Sequence, residues 1–373
     1  MKKMILWMTI ISTLLLIYPT FVLGATKPET PTIASDAAIV LEANTGKVLY
    51  EKNATTQLYP ASLTKIATAI YAIEHSDLDQ TVTVSEKAWN TGGSSLYLEE
   101  GEEAKMRDLV AGLLLNSGND AGVAIAEHMS GSVEQFSEDM NDYLENEIGV
   151  QQTHFENPHG LFDPEHRTTA KDLALITKHA MENKTFNEMY GAKVMEWDGE
   201  KWDATLYTHH KLMREDPYEG VTGGKTGFVP QSGFTLATSA TRENTNLIVI
   251  TMKSALKDQS YEDTEKLLDY GFEHYETTNI EPAKEFQEAK DDFIFPQEVP
   301  FTHLKESAVE MKLEENGQMV IYEDGEERIS KQLEKVQKER EPQIKEEVEE
   351  PKWKEYLPYF IFPKDYLITE VLY

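Results

Sequence analysis

Apolar and polar positions divide the chain into segments of different period. Residues 36–42 form a nearly unbroken apolar run, Asn44-Thr45-Gly46 supplies turn residues, and 47–51 returns as a second apolar stretch, which together predict a β-hairpin. From 62 to about 74 the spacing becomes helical, with Ile66, Ile70 and Ile73 stacked on one face. Further helices are predicted over 106–115, 121–129, 133–147 and 172–181. Strand character comes back in 234–240 and 246–252, rich in β-branched and aromatic residues, with polar 241–245 as the hairpin loop. Residues 262–275 read as a closing helix. Two strands, a helical block, more strands and a last helix predict an α+β fold, an antiparallel sheet flanked by helices, over residues 30–278.

The flanks differ in kind. Lys2 and Lys3 precede an apolar run over 4–23 that is broken by Pro19 and ends in Gly24-Ala25, the pattern of a secretory leader over residues 1–25. The run is also nearly long enough to be an uncleaved membrane anchor. Either reading puts the chain from about residue 26 onward outside the cytoplasm. Residues 279–330 predict a small, mostly-β domain: Asn316-Gly317 and Asp324-Gly325 are hairpin turns that bracket 318–322, and Val309, Met311 and Leu313 alternate just before them. Residues 331–373 read as a charged helix, an acidic linker at 346–350, and a tail rich in Trp353, Tyr356, Leu357 and Phe360. The spacing of those four suits a helix resting on a membrane surface, whereas Pro358 and Pro363 would break it, and packing on the β domain is the competing expectation.

Composition narrows the chemistry. The 373 residues carry 66 Asp and Glu against 35 Lys and Arg, a formal net charge of −31. Such a surface repels phosphate backbones and excludes a nucleic-acid binder. With no cysteine, disulfides, thiolate metal sites and cysteine nucleophiles are all ruled out. His154, His159 and His166 cluster in sequence, but there is no His-Glu-x-x-His, so neither metal nor cofactor is expected. Hydroxyl, amine, carboxylate and imidazole chemistry remain.

Three short motifs stand out. Ser62-Leu63-Thr64-Lys65 places an amine three residues after a hydroxyl on one helix face, so Lys65 can take the proton of Ser62 and make it a nucleophile. Such a lysine serves as a base if burial or a nearby cation lowers its pKa. Alone the pattern is weak, and Ser254-Ala255-Leu256-Lys257 matches it too, at the end of a strand. Ser117-Gly118-Asn119, between two predicted helices, offers a hydroxyl to relay a proton and an amide to hold a carbonyl; Asn119 or Asp120 could instead simply cap the next helix. Lys225-Thr226-Gly227, followed by Phe228, lies on a predicted edge strand, where the glycine admits a close backbone and the lysine supplies charge.

In this order the three motifs resemble those of the penicillin-recognising serine enzymes. Within that superfamily, the runs around Ser62, Ser117 and Lys225, together with Asn157-Pro158-His159-Gly160-Leu161 and Thr169-Ala170-Lys171-Asp172-Leu173-Ala174, look like the low-molecular-mass D-alanyl-D-alanine carboxypeptidases. The resemblance implies a DD-peptidase/β-lactamase-like fold for the catalytic domain and catalytic roles for Ser62, Lys65 and Ser117. It implies substrate contacts from Asn119, Lys225, Thr226, Gly227 and Phe228, with the N–H groups of Ser62 and Phe228 as oxyanion hole. The implied partners are peptidoglycan stem peptides as substrate and β-lactams as inhibitors, and the implied location is the outer face of the cytoplasmic membrane and the wall.

One departure stands out. Relatives often carry an arginine near the end of the strand that here reads Thr251-Met252-Lys253-Ser254, so the substrate carboxylate is expected to rest on Thr226 and Lys225, together with Lys253. A β-lactamase would need a deacylating glutamate in a Glu-x-x-Leu-Asn setting, which is absent. Endopeptidase cleavage of cross-links would use the same residues, and a silent wall-binding protein would not need all of them.

Overall fold

The computed structural model describes residues 28–280 and 292–336, with Phe286 and Ala289 between them. The leader and the tail beyond 336 lie outside the described residues. A five-stranded antiparallel sheet organises the fold: β1 (Ala37–Glu42), β2 (Val48–Lys52), β3 (Val221–Val229), β4 (Gly233–Arg242) and β5 (Thr245–Ser254). Their spatial order is β2-β1-β5-β4-β3, which leaves β3 as an edge. All neighbours are antiparallel.

Helices cover both faces of this sheet. All six residues of β1 are buried, and successive side chains alternate between two cores. Ala37, Ile39 and Leu41 join the larger one, against α1 (Thr64–His75), α2 (Met106–Leu115), α3 (Asn119–Ser130), α4 (Val133–Tyr143) and α5 (Ala170–Met181). Ala38 and Val40 face the opposite way, onto Leu267, Leu268, Tyr270 and Phe272 of α6 (Lys257–His274). A strand buried on both faces has no polar side, hence the continuous apolar run in its sequence. The α+β fold of helices around an antiparallel sheet is the one expected from the pattern.

Boundaries differ where burial and pattern part company. The loop expected over 241–245 shrinks to Glu243-Asn244, with Glu243 at φ 52° in the left-handed region. Helix α6 begins at Lys257 rather than 262, because Lys257 and Asp258 are exposed and contribute nothing to the apolar stripe. A hairpin of Val194–Asp198 with Asp203–Tyr207 had no sequence signal, since each strand buries one side chain, Trp197 and Leu206 respectively.

Past α6, Tyr275–Asn279 pairs with Pro300–Leu304, and Val309–Leu313, Gln318–Glu323 and Glu326–Gln332 form a three-stranded sheet around Phe286, Met311 and Ile321. Residues 331–336, expected to open a charged helix, instead finish the last of these strands and pair Glu334–Lys335 with Phe293–Ile294. The larger unit meets this region through Glu42: its buried carboxylate accepts from Thr45 and Asn246, and Thr302 Oγ1 lies 3.3 Å away.

Candidate active site

Ser62 sits in a short 3-10 turn, Ala61–Leu63, that feeds directly into α1. Ala61 is held at φ 48°, a region that costs a residue with a Cβ of order 1–3 kcal/mol. Three contacts hold it. Thr64 Oγ1 donates to Ala61 O at 2.8 Å, and Thr235 Oγ1 donates to Pro60 O at 2.9 Å. Gly160, at φ 83°, packs so closely that a Cβ would come 1.9 Å from Ala61 O. Behind Thr64 stands His166, 2.8 Å away through Nε2. Its Nδ1 accepts from Glu156 N–H at 3.0 Å, so the ring proton lies on Nε2 and points at Thr64. Burial above all, then the charges of His154 and Lys65, bring His166 down to about 3, and the ring is neutral.

Lys65 is fully buried one helical turn after Ser62. Its Nζ lies 3.0 Å from Ser62 Oγ, 2.7 Å from Asn119 Oδ1 and 2.7 Å from His159 O. The Asn119 assignment is secure, because its Nδ2 donates to Gly92 O at 2.7 Å. Two of the three partners can only accept. A neutral amine gives them its two N–H bonds, and its lone pair is left facing the Ser62 hydroxyl. Burial, reinforced by the charge of Lys225 and opposed by Asp120, holds the Lys65 pKa well below its usual range.

Ser117 occupies the turn between α2 and α3 at φ 64°. Asp120 pins the facing loop, accepting from Leu96 and Leu98 N–H groups and from Ser95 Oγ. Gly118 is the cap residue of helix α3; the Asp120 carboxylate also accepts from Ala121 N–H in its first turn at 2.9 Å, whereas the Asn119 amide is spent on Lys65 and Gly92. Lys225 reaches across from β3, with Nζ 3.0 Å from Ser117 Oγ and 2.9 Å from Thr226 O. Burial brings its pKa down to about 7. Gly227 is obligatory for a reason the pattern could not reveal. A Cβ there would lie 2.9 Å from Ser62 N and 2.4 Å from Thr235 Oγ1, so the edge strand could not rest against the nucleophile turn.

These elements enclose a cleft of about 360 Å³, lined by Ser62, Ser117, Thr226, Gly227 and Phe228 and, on a further wall, by His209, Lys257, Ser260 and Tyr261. Lys65, Asn119 and Lys225 lie immediately behind this lining. The eight residues singled out from sequence therefore converge. Lys253 does not join them: it sits at φ 56° and turns to Asp36 at 2.9 Å, away from the cleft. Sequence reasoning also missed the support of His166, Thr64 and Asp120. His166 sits within the 157–174 stretch that carried the family likeness, and Asp120 follows Asn119 directly, but a buried supporting role leaves no periodic signature. His154 pairs with Glu156 at 2.9 Å, and among the described residues no group of histidines and carboxylates is placed to hold a metal ion.

The fold is that of the penicillin-binding serine peptidases. Penicillin binding protein 6B from Escherichia coli matches with a TM-score of 0.71 at 30% identity, covering 82% of this chain and 97% of that one. Penicillin binding protein 5 from Haemophilus influenzae matches with a TM-score of 0.72 at 27% identity, over 83% of this chain and 98% of that one. In sequence, the D-alanyl-D-alanine carboxypeptidase DacF of Bacillus subtilis is 34% identical over 246 residues, 65% of this chain and 63% of the relative. The DacD enzyme of Escherichia coli is 34% identical over 266 residues, 68% of this chain and 67% of the relative. The matched segments thus span about two thirds of these relatives. The model of the D-alanyl-D-alanine carboxypeptidase family, Peptidase_S11, matches residues 24–255, and the chain belongs to this family.

Proposed function

We propose that the protein is an exported serine-type D-Ala-D-Ala carboxypeptidase that removes the terminal D-Ala of peptidoglycan stem peptides and is acylated by β-lactams. The observation that carries this is the fully buried Lys65 amine, held by Asn119 Oδ1 and His159 O and placed 3.0 Å from Ser62 Oγ, with its pKa lowered by burial and by Lys225. The names of the relatives supply the substrate class.

In the proposed reaction the Ser62 hydroxyl proton moves to Lys65 while Oγ attacks the carbonyl of the penultimate D-Ala. The N–H groups of Ser62 and Phe228 receive the oxyanion, which contributes ~3–4 kcal/mol per donor in comparable sites. The C–N bond breaks as Ser117 Oγ passes its proton to the leaving nitrogen and is resupplied by Lys225, 3.0 Å away. A pKa of about 7 suits Lys225 to giving and retaking a proton near neutrality. Water then attacks the ester. Lys225 recovers its proton through Ser117, and Ser62 Oγ recovers its own from Lys65. The leader and the aromatic tail are proposed to place the enzyme outside the cytoplasm, the tail by peripheral membrane contact; among the described residues no helix is long and apolar enough to cross a membrane.

The test is mass spectrometry after incubation with a labelled penicillin and, separately, with a D-Ala-D-Ala-terminated pentapeptide. The expected result is an adduct on Ser62 and free D-Ala. Label bound or D-Ala released by Ser62→Ala overturns the assignment.

A further inference from the structure

The second Ser-x-x-Lys, Ser254 to Lys257, is no nucleophile pair: Ser254 is buried and its Oγ lies 3.1 Å from Leu256 O. Its lysine nevertheless ends on the wall of the Ser62 cleft, at the first position of α6. A cation there is unfavourable to the helix, whose N-terminus carries partial positive charge and prefers acids. Nor is Lys257 placed for an ion pair. Its neighbour Asp258 lies 3.8 Å from Lys211 and Glu215 2.8 Å from Arg214, and among the described residues no carboxylate is within ion-pair distance of Lys257. Glu215 feels the Lys257 charge only beyond ion-pair distance, and a local rule broken without a close carboxylate partner points to function.

The cleft itself is selective in charge. The chain has 66 acidic residues, yet among the described residues none lines it. The contrast is internal: a cleft of similar size, about 330 Å³, is lined by Glu103, Asp108, Glu196, Asp198 and Glu200. Among the described residues, the ionisable groups lining the cleft beside Ser62 are Lys257, His209 and Tyr261, with Lys225 buried behind. Burial first, then Lys225 and Lys257, lower the His209 pKa, which places both lysines within electrostatic reach of one ring.

We propose that Lys257, with His209 beside it on the same wall, binds the C-terminal carboxylate of the substrate in place of the missing strand-end arginine. This rests on the carboxypeptidase reading. The cation comes from the start of α6, not from Lys253, which is committed to Asp36. Carboxylate preference then depends on a flexible, exposed point charge instead of a planar bidentate fork, a looser grip than arginine provides.

The test measures release of D-Ala from an N-acetylated peptide ending in D-Ala-D-Ala and release of D-alaninamide from the same peptide with a C-terminal amide. Enzymes compared are wild type, Lys257→Ala and Lys257→Arg. Losing a charge-assisted contact should raise KM for the free acid about 10- to 100-fold with kcat little changed. The amide should be handled alike by wild type and Lys257→Ala, and Lys257→Arg should restore the acid preference. Because Lys257 is exposed, melting curves should match and exclude a folding defect. An acid-to-amide ratio unchanged in Lys257→Ala, with wild type active, overturns this assignment alone. A wild type that releases no D-Ala from the acid overturns the carboxypeptidase reading and this inference with it.

Discussion

Asn119→Asp is the sharpest probe of the base. It is isosteric, and it converts a neutral acceptor 2.7 Å from Lys65 Nζ into a carboxylate. In the wild type, burial and Lys225 favour the free amine. A carboxylate at hydrogen-bond distance favours the ammonium instead, and such a neighbour typically moves a pKa by about 1–3 units. The working form of Lys65 is the deprotonated one, so activity rises with pH through its pKa. Raising that pKa moves the rising limb to higher pH by the same amount. At a fixed pH below the wild-type pKa this is ~10- to 1000-fold less free amine, or ~1.4–4 kcal/mol of barrier. The assay is the second-order rate of Ser62 acylation by a fluorescent penicillin between pH 5 and pH 10. The variant should be slow on the acid side of its displaced limb and recover toward the wild-type rate at the alkaline end. A uniform loss with an unshifted profile would mean that Asn119 only positions substrate; an unchanged rate would refute Lys65 as the base.

Gly160→Ala should abolish acylation and lower stability by roughly 1–3 kcal/mol, since φ 83° and a contact of 1.9 Å with Ala61 O leave no room to relax; a melting curve paired with penicillin labelling checks it. His166 and His210 are both held neutral with pKa values of about 3, chiefly by burial. Below pH 6.5 the unfolded chain takes up protons that the folded chain refuses, so stability is fully present above 6.5 and falls as pH drops toward 3. Denaturant titrations of wild type and His210→Gln should diverge over that window, and parallel curves would count against it. The net charge of −31 implies self-repulsion that salt screens, so the melting temperature should climb with added sodium chloride.

Much of this architecture was legible from residue pattern because both cores follow simple periods. The alternation of β1 between two cores and the isoleucine stripe of α1 each follow from which side of an element is covered. The hairpin around Trp197 and Leu206 was not legible, as one buried residue per strand makes no pattern. Helix α6 was seen from 262 onward, where the apolar stripe is continuous; its first turn, which borders the cleft, was lost with it. At the site, Ser62 and Lys65 could be paired from spacing because three residues span one helical turn. Asn119 and Lys225 could be placed there only by likeness to a family, since 54 and 160 residues of chain separate them from Lys65.

By itself the sequence narrowed the class of chemistry: with no thiol and no metal-binding motif, a serine three residues ahead of a lysine at a helix start offered a hydroxyl and an amine within local reach, although the same spacing at Ser254 and Lys257 spans a strand end and a helix start and makes no pair. Tertiary structure alone decided what that pair can do. Burial and the arrival of Lys225 from a distant segment lower the Lys65 pKa toward the free amine, because desolvation and a nearby cation act on the charged form whatever its sequence neighbours. The same folding step turned Lys253 outward to Asp36 and carried Lys257, the lysine of a discounted motif, to the wall of the cleft.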